Sequence, residues 1–335
     1  MTRWCRQGRP SHIGVAVLSS TLLMLSGCAD SRVYLSFLNP QGPVAAAERW
    51  HFIEVVLILG VFVALPIFVL TPWLAWRYRY GAKSSRYTPK WKDLLPLEIM
   101  TWVGPIVIVA VLGFELWRFA YALDPYKPIA PNTPALQVQV IGYDWKWLFI
   151  YPDQGIASIG EMAIPVGKPV AMHLTSATVM QSLQIPALVG QIYAMGGMVT
   201  QLHLKATKPG RSLGENTMYN GMGFHRQKFT AVAMPPDEFK AWVRKVRAIG
   251  VPLDARTYEA LSQRSTRGKL AAALPRASHD GNVYLTGVSA ALFSAVVEAT
   301  MTGTPVALAH VLMAPAGSPA PVVRNTAASS MEKAP

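Results

Sequence analysis

Cysteine is nearly absent from this chain of 335 residues: there are two, Cys5 and Cys28, both close to the N-terminus. The body of the chain is therefore free of thiols, which excludes an internal disulfide there and any metal site built on cysteine thiolates. Charge is scarce as well, at 15% charged residues against 51% hydrophobic ones, and acids are the rarer sign, 18 against 31 bases. So little charge, with a positive mean hydropathy, excludes a purely soluble enzyme and fits a membrane protein with a sizeable soluble part. The net charge of +13 does not indicate nucleic acid. The bases are scattered or flank apolar runs, where such charges set membrane topology.

What is present begins with an export signal. Arg3, Arg6 and Arg9 form a positive n-region, Ile13 to Leu25 an apolar h-region, and Leu25-Ser26-Gly27-Cys28 follows. The last four residues resemble the bacterial lipobox, so residues 1–27 are expected to be removed and Cys28 to carry lipid, palmitate included. An unprocessed third helix is the competing reading. The h-region is short for spanning a bilayer, which favours a lipidated, periplasmic N-terminus over residues 28–51.

Phe52 to Trp76 is apolar for long enough to cross a hydrocarbon core of about 30 Å. Pro66 and Pro72 lie within it or near its end, where neighbouring helices can satisfy the freed carbonyls. From Arg77 to Lys92 the chain carries Arg77, Arg79, Lys83, Arg86, Lys90 and Lys92 and no acid, which assigns this loop to the cytoplasm. A second span, Glu98 to Phe119, has Trp102 and Trp117 near its ends as interfacial anchors. Residues 52–122 thus read as a transmembrane hairpin with both ends periplasmic.

A proline-rich linker, Asp124 to Pro134, leads to alternating strands. Leu136, Val138 and Val140 alternate with Gln137 and Gln139; Val170, Met172 and Leu174 with Ala171, His173 and Thr175; Leu202 and Leu204 flank His203. Short strands broken by Gly and Pro as far as Phe229–Ala233 predict an antiparallel sandwich or barrel over residues 135–236. Pro235-Pro236-Asp237 starts a helix whose Phe239, Trp242, Val243 and Val246 share one face. With helical stretches near Thr257–Gln263 and Val288–Ala299, residues 237–303 read as a small helical appendix. The Ala/Pro/Ser-rich residues 304–335 read as a disordered tail.

The order of lipoprotein signal, two-helix hairpin and β-domain resembles subunit II of the haem-copper oxidases. Two local runs sharpen the likeness. Tyr143-Asp144-Trp145-Lys146-Trp147-Leu148-Phe149-Ile150-Tyr151-Pro152 is similar to the aromatic segment of that family, and Gln191-Ile192-Tyr193-Ala194-Met195-Gly196-Gly197-Met198 to its quinol-oxidising, cytochrome bo-type branch. The resemblance runs to about Gly250 and is weaker across the appendix. It implies an all-β cupredoxin-like sandwich, and a subunit of a proton-translocating ubiquinol oxidase in the inner membrane whose haems and copper sit in subunit I. Partners implied are subunit I, subunits III and IV, membrane lipid, and ubiquinol through the complex.

In copper-bearing relatives this subunit holds a binuclear centre with histidine, cysteine and methionine ligands. At the place of the first histidine stands Gln181, in Gln181-Ser182-Leu183-Gln184-Ile185-Pro186, and the later loop Tyr219–Phe229 has no cysteine. An amide is a poor copper ligand and no thiolate can bridge two coppers, so this chain is expected to bind no cofactor and to hold no catalytic residue. A remnant mononuclear site from His225, Met218 and Met222 is the competing reading; His225 as a solvated loop residue and His173 and His203 as polar-face strand residues is the plainer one. Trp145, Trp147 and Phe149 would fill a core by area alone, while Tyr143, Trp145 and Trp147 at the matching positions imply docking against subunit I. The resemblance gives Glu98, at the mouth of the second span, a role in proton uptake. Glu54 and Glu115 read as interfacial charges. Two other functions stay open: a cytochrome c oxidase subunit II, which a copper assay separates, and a free-standing periplasmic lipoprotein, which would need no second span.

Overall fold

The structure is a computed structural model that describes residues 39–80 and 95–313. Cys28, the export signal and most of the basic loop lie outside the described residues.

Helix α1 runs Pro43–Arg77 and helix α2 Leu95–Ala122. Both are long and apolar enough to cross a bilayer, and the most apolar stretch of each is wholly unburied within the chain. At 1.5 Å per residue α2 spans about 42 Å, more than the hydrocarbon core requires. Helix α1 starts at Pro43 rather than near Phe52, inside the segment expected to be only a tether. Proline is favoured at the first helical position, and Ala45, Ala46 and Ala47 follow it. Over Gly60–Ala64 the helix widens to a π turn, closed by the Leu65 N–H on the Gly60 carbonyl. Pro66 comes next; it has no N–H and its ring crowds the preceding turn, and the wider turn absorbs both effects. Pro105 sits inside α2.

The β-domain has two sheets. The strands are β1 Leu136–Tyr143, β2 Lys146–Tyr151, β3 Ile156–Ile159, β4 Glu161–Pro165, β5 Pro169–Ser176, β6 Gln181–Ile185, β7 Val189–Ala194, β8 Thr200–Lys205, β9 Gly210–Asn216 and β10 Lys228–Met234. After β10 come helix α3 Pro236–Ile249, β11 Val251–Pro252, α4 Ala255–Ser262, α5 Arg267–Ala273, β12 Ser278–His279, β13 Asn282–Thr286, α6 Ala291–Thr302 and α7 Leu308–Met313. One sheet has the order β11-β13-β3-β2-β1-β5-β8, with β12 on β13, and the other β4-β10-β9-β6-β7.

The β-domain is a two-sheet sandwich, and it is not purely antiparallel as the short strands suggested. β1 pairs β5 in parallel from Leu136↔Val170 to Gly142↔Ser176, and β10 pairs β4 in parallel from Thr230↔Glu161 to Met234↔Pro165. Parallel neighbours cannot be joined by a hairpin, so these pairings leave no mark on adjacent sequence.

Val138, Val140, Trp147, Phe149, Met162, Leu174, Leu183 and Phe229 fill the space between the sheets. Tyr151 ties the sheets together: its hydroxyl donates to the Ala163 carbonyl and accepts from the Ala163 N–H, each at 2.9 Å. Its ring meets Trp242 of α3 edge-on at 5.4 Å. A second apolar cluster lies on the outer face of the longer sheet, where Ile141, Leu148, Ile150 and Ile159 are covered by Leu261, Leu270, Leu292, Phe293 and Val296. β2 is therefore buried on both faces, which is why Trp147–Tyr151 reads as an unbroken apolar run rather than an alternation.

The appendix is more than helical. β13 extends the longer sheet by pairing antiparallel with β3, so residues expected to form only helices complete the sandwich edge. Beyond residue 304, expected to open a disordered tail, the chain forms α7 with Val311 buried; residues 314–335 lie outside the described residues.

Candidate functional site

At one end of the sandwich four amide side chains meet in the interior: Gln181 opens β6, Asn216 ends β9, Gln227 precedes β10 and Asn220 comes from the loop between those two. All four are buried, Gln181 completely. Gln227 Nε2 donates to Gln181 Oε1, while Gln227 Oε1 accepts from Asn220 Nδ2 at 2.7 Å and from Asn216 Nδ2 at 3.1 Å. Gln181 Nε2 donates to the Tyr143 carbonyl at 3.2 Å. Asn216 Oδ1 accepts the backbone N–H groups of Ser182 and Met218 at 2.9 and 3.0 Å. An amide both donates and accepts, so the four link into one network with no net charge, in which only Asn220 Oδ1 finds no partner among the described residues. Gly142 makes room: a Cβ there would stand 2.7 Å from Gln181 Oε1.

This cluster contains the position where the resemblance puts a histidine ligand. Its ligand atoms are neutral, hard amide oxygens, those of Gln181, Asn216 and Gln227 already engaged, a set that does not fit copper. His225 stands apart, exposed in the single turn Phe224–Arg226, and its Nε2 accepts from Arg226 Nε at 3.2 Å. Met222 is 85% exposed, and the Met218 carbonyl accepts from Asn216 Nδ2 at 2.8 Å. His173 and His203 are half-buried strand residues, as expected. His203 Nδ1 lies 3.0 Å from the Pro125 carbonyl, and burial, with His203 nearby, lowers the pKa of His173.

Asn216, Asn220 and Gln227 were not singled out by sequence reasoning. The available signal was Gln181 itself, because a polar side chain at a buried strand position demands partners.

The aromatic segment divides. Tyr143 and Trp147 are 1% and 2% exposed, so their own fold hides them and they cannot dock against another chain as expected. Trp145 remains half-buried, in the turn between β1 and β2 with φ +66°. Its indole N–H donates to the Asn220 carbonyl at 3.3 Å, Arg264 lies over its ring at 4.9 Å, and a Cβ on Gly223 would fall 2.0 Å from it. Arg264 also pairs with Asp144 at 3.2 Å.

Next to it Lys146 is buried. Its ammonium donates to the carbonyls of Gln263 at 2.8 Å and Ser265 at 3.2 Å and to the Ser265 hydroxyl. Burial lowers its pKa to about 8, against a smaller opposing pull from Asp144. Asp144, Trp145 and Lys146 thus fasten the appendix to the edge of the amide cluster.

In the hairpin, Glu54 and Glu115 are not separate interfacial charges. Arg118 Nη2 stands 2.7 Å from Glu115 and 3.8 Å from Glu54, as an ion pair rather than an aligned hydrogen bond. The ligand atoms of His51, Glu54 and Glu115 lie within 4.8 Å of one another, and the His51 ring packs on Phe119 at 3.8 Å. Arg118 already supplies the positive charge that a metal ion would bring. Glu98 lies in the first turn of α2 and is exposed, about 25 Å along the helix from Glu115. A carboxylate there complements the helix dipole.

No family model matches the chain. Among curated proteins it is 42% identical over 245 residues to the ubiquinol oxidase subunit 2 of Acetobacter aceti, covering 72% of this chain and 78% of the relative. It is 38% identical over 250 residues to the cytochrome bo(3) ubiquinol oxidase subunit 2 of Pseudomonas putida, covering 75% and 78%. The chain belongs to the ubiquinol oxidase subunit 2 family. A more distant relative is the quinol oxidase subunit 2 of Bacillus cereus, 31% identical over 256 residues and covering 75% and 85%. Among solved structures, the periplasmic domain of subunit II of cytochrome oxidase from Bradyrhizobium japonicum is 24% identical, with a TM-score of 0.34, over 36% of this chain and 98% of that one. Within the ubiquinol oxidase subunit 2 family, the amide cluster is the feature of this chain that bears most directly on chemistry.

Proposed function

We propose that this chain is the subunit II of a membrane-bound, proton-translocating ubiquinol oxidase and carries no redox centre of its own. In this reading the hairpin and the β-domain assemble with subunit I, which holds the haems and copper and reduces oxygen, and with subunits III and IV. The neutral amide cluster carries the proposal: in a chain 42% identical to a ubiquinol oxidase subunit 2, the site where relatives ligate copper is filled by neutral amides hydrogen-bonded to one another. Around it Met222 and Tyr219 are 85% and 71% exposed, with Val179, Met180 and Met198 also outside. These loops, rather than Tyr143 and Trp147, are the surface that faces subunit I, because exposed apolar patches of this kind mark interfaces.

The N- and C-terminal parts lie in the periplasm, Cys28 carries the lipid, and Glu98 collects protons at the cytoplasmic mouth of subunit I. Purifying the tagged chain from its native membrane in mild detergent tests the proposal. Haem should co-purify with quinol-dependent oxygen uptake, with copper only for a single haem-copper centre. A colourless, solitary chain would sink it. Glu98→Gln should slow oxygen uptake in the intact complex without loss of haem; an unchanged rate removes Glu98 from proton uptake.

A further inference from the structure

A cavity of about 360 Å³ lies where the hairpin meets the β-domain. One wall is the first turns of α1, with Val44 and Glu48, another the ends of β7 and β8, and the third the linker with Asp124 and Lys127. The linker is held there by His203, whose backbone N–H donates to the Pro125 carbonyl at 3.1 Å and whose ring lies 3.0 Å from the same oxygen. Glu48 is fixed as well, accepting the Gly190 N–H at 3.1 Å. Lys127 and Asp124 are exposed. The cavity thus presents two carboxylates and one ammonium over an apolar floor.

Its height relative to the membrane follows from the helices. Trp50 on α1 and Trp117 and Tyr121 on α2 are exposed outward, an aromatic belt of the kind that sits at headgroup level. Trp50 is about 10 Å along the helix from Pro43, the edge of the cavity. The cavity therefore opens at the periplasmic surface of the bilayer. Below it α1 and α2 expose apolar side chains, Phe52, Val56 and Phe114 among them, beside the partly exposed Glu54 and Arg118.

We infer that this cavity binds the headgroup of a zwitterionic aminophospholipid of the outer leaflet, with the phosphate at Lys127, the ammonium between Glu48 and Asp124, and the acyl chains along α1 and α2. Only a ligand with both charges a few ångströms apart satisfies the ammonium and the carboxylates together. A purely anionic headgroup meets the two carboxylates unfavourably, and a quaternary ammonium cannot donate hydrogen bonds to them. The lipid would fill the gap between hairpin and β-domain and fix their angle. The inference rests on the membrane hairpin and on the periplasmic orientation proposed above, and not on the oxidase reading.

The test uses the complex purified from its native membrane, reconstituted in nanodiscs of equal phosphatidylethanolamine, phosphatidylglycerol and phosphatidylcholine, with retained lipid read by native mass spectrometry. The wild type should keep phosphatidylethanolamine preferentially. Lys127→Glu should lower that retention about tenfold, the effect of one lost charge-assisted contact. Glu48→Gln, which keeps the shape and can still accept from Gly190, should erase the preference for ethanolamine over choline while leaving the fold intact. Equal retention in the wild type and both variants would overturn the inference, as would a quinone held in place of lipid. So would displacement by soluble glycerophosphoethanolamine as efficient as by the lipid. Haem spectrum and oxygen uptake, read on the same samples, show separately whether the oxidase assignment fails.

Discussion

Two polar clusters in this chain, one buried in the β-domain and one half-exposed on the hairpin, hold together in opposite ways. In the β-domain, Gln181, Asn216, Asn220 and Gln227 are neutral and hydrogen-bond one another and nearby backbone, with only Asn220 Oδ1 left without a partner among the described residues. In the hairpin, His51, Glu54, Glu115 and Arg118 are ionisable and hold together by charge. A protein core has backbone carbonyls and N–H groups nearby to complete an amide network, so neutrality is reachable. A membrane helix has spent its backbone groups on itself, and charged side chains there must find one another across the helix pair. Lys146 is the intermediate case, a single buried ammonium solvated by carbonyls of the appendix.

The comparison breaks most visibly at Gln227. Gln227→Leu strips partners from Gln181, Asn216 and Asn220 at once, and unsatisfied buried amides cost about 1–3 kcal/mol each. A loss of about 4 kcal/mol is expected, read as a lower urea midpoint for the β-domain of the detergent-solubilised chain; a change within error would mean that water repairs the cluster. Lys146 gives a pH signature next. With its native pKa near 8 and the ordinary value near 10.5, the unfolded chain binds more protons between those values, so stability rises with pH across that window. The rise should reach about 2–3 kcal/mol in thermal midpoints taken from pH 7.5 to 10.5, and Lys146→Met should flatten it.

In the hairpin, Arg118→Leu leaves two carboxylates uncompensated and should cost about 2 kcal/mol, seen as earlier melting of the helical signal in detergent, with Arg118→Lys recovering most of it. If Arg118→Leu instead melts like the wild type, the charged cluster is solvated from outside. The smallest effect is steric: Gly223→Ala drives a methyl into the Trp145 ring and should cost about 1 kcal/mol, lowering the thermal midpoint without altering the slope contributed by Lys146.

Much of the architecture was legible because its signals are local. Long apolar runs mark the spans of α1 and α2, alternation marks β1, β5 and β8, and the helical spacing of Phe239, Trp242, Val243 and Val246 marks α3, whose four residues are all buried. The missed parts are those decided at a distance. β13, Asn-Val-Tyr-Leu-Thr, is a strand because β3 offers it an edge. Trp147 fills the core as its area suggested, whereas Tyr143, assigned by the resemblance to docking, is covered by the appendix side of the sheet. The loss of a ligand at Gln181 was readable from one position, whereas its replacement by three further amides was not, since these come from segments that only the fold brings together.

The sequence by itself determined the two spans, the strand-rich domain, the thiol-free body and the amide at the ligand position, since each depends on residue type and on neighbours a few positions away. Tertiary structure alone decided that four amides meet in one network, that Arg118 gathers Glu54 and Glu115, and that the linker and α1 line a common cavity. Those outcomes join residues tens of positions apart, and hydrogen bonds and ion pairs are fixed by distance in space rather than by distance along the chain.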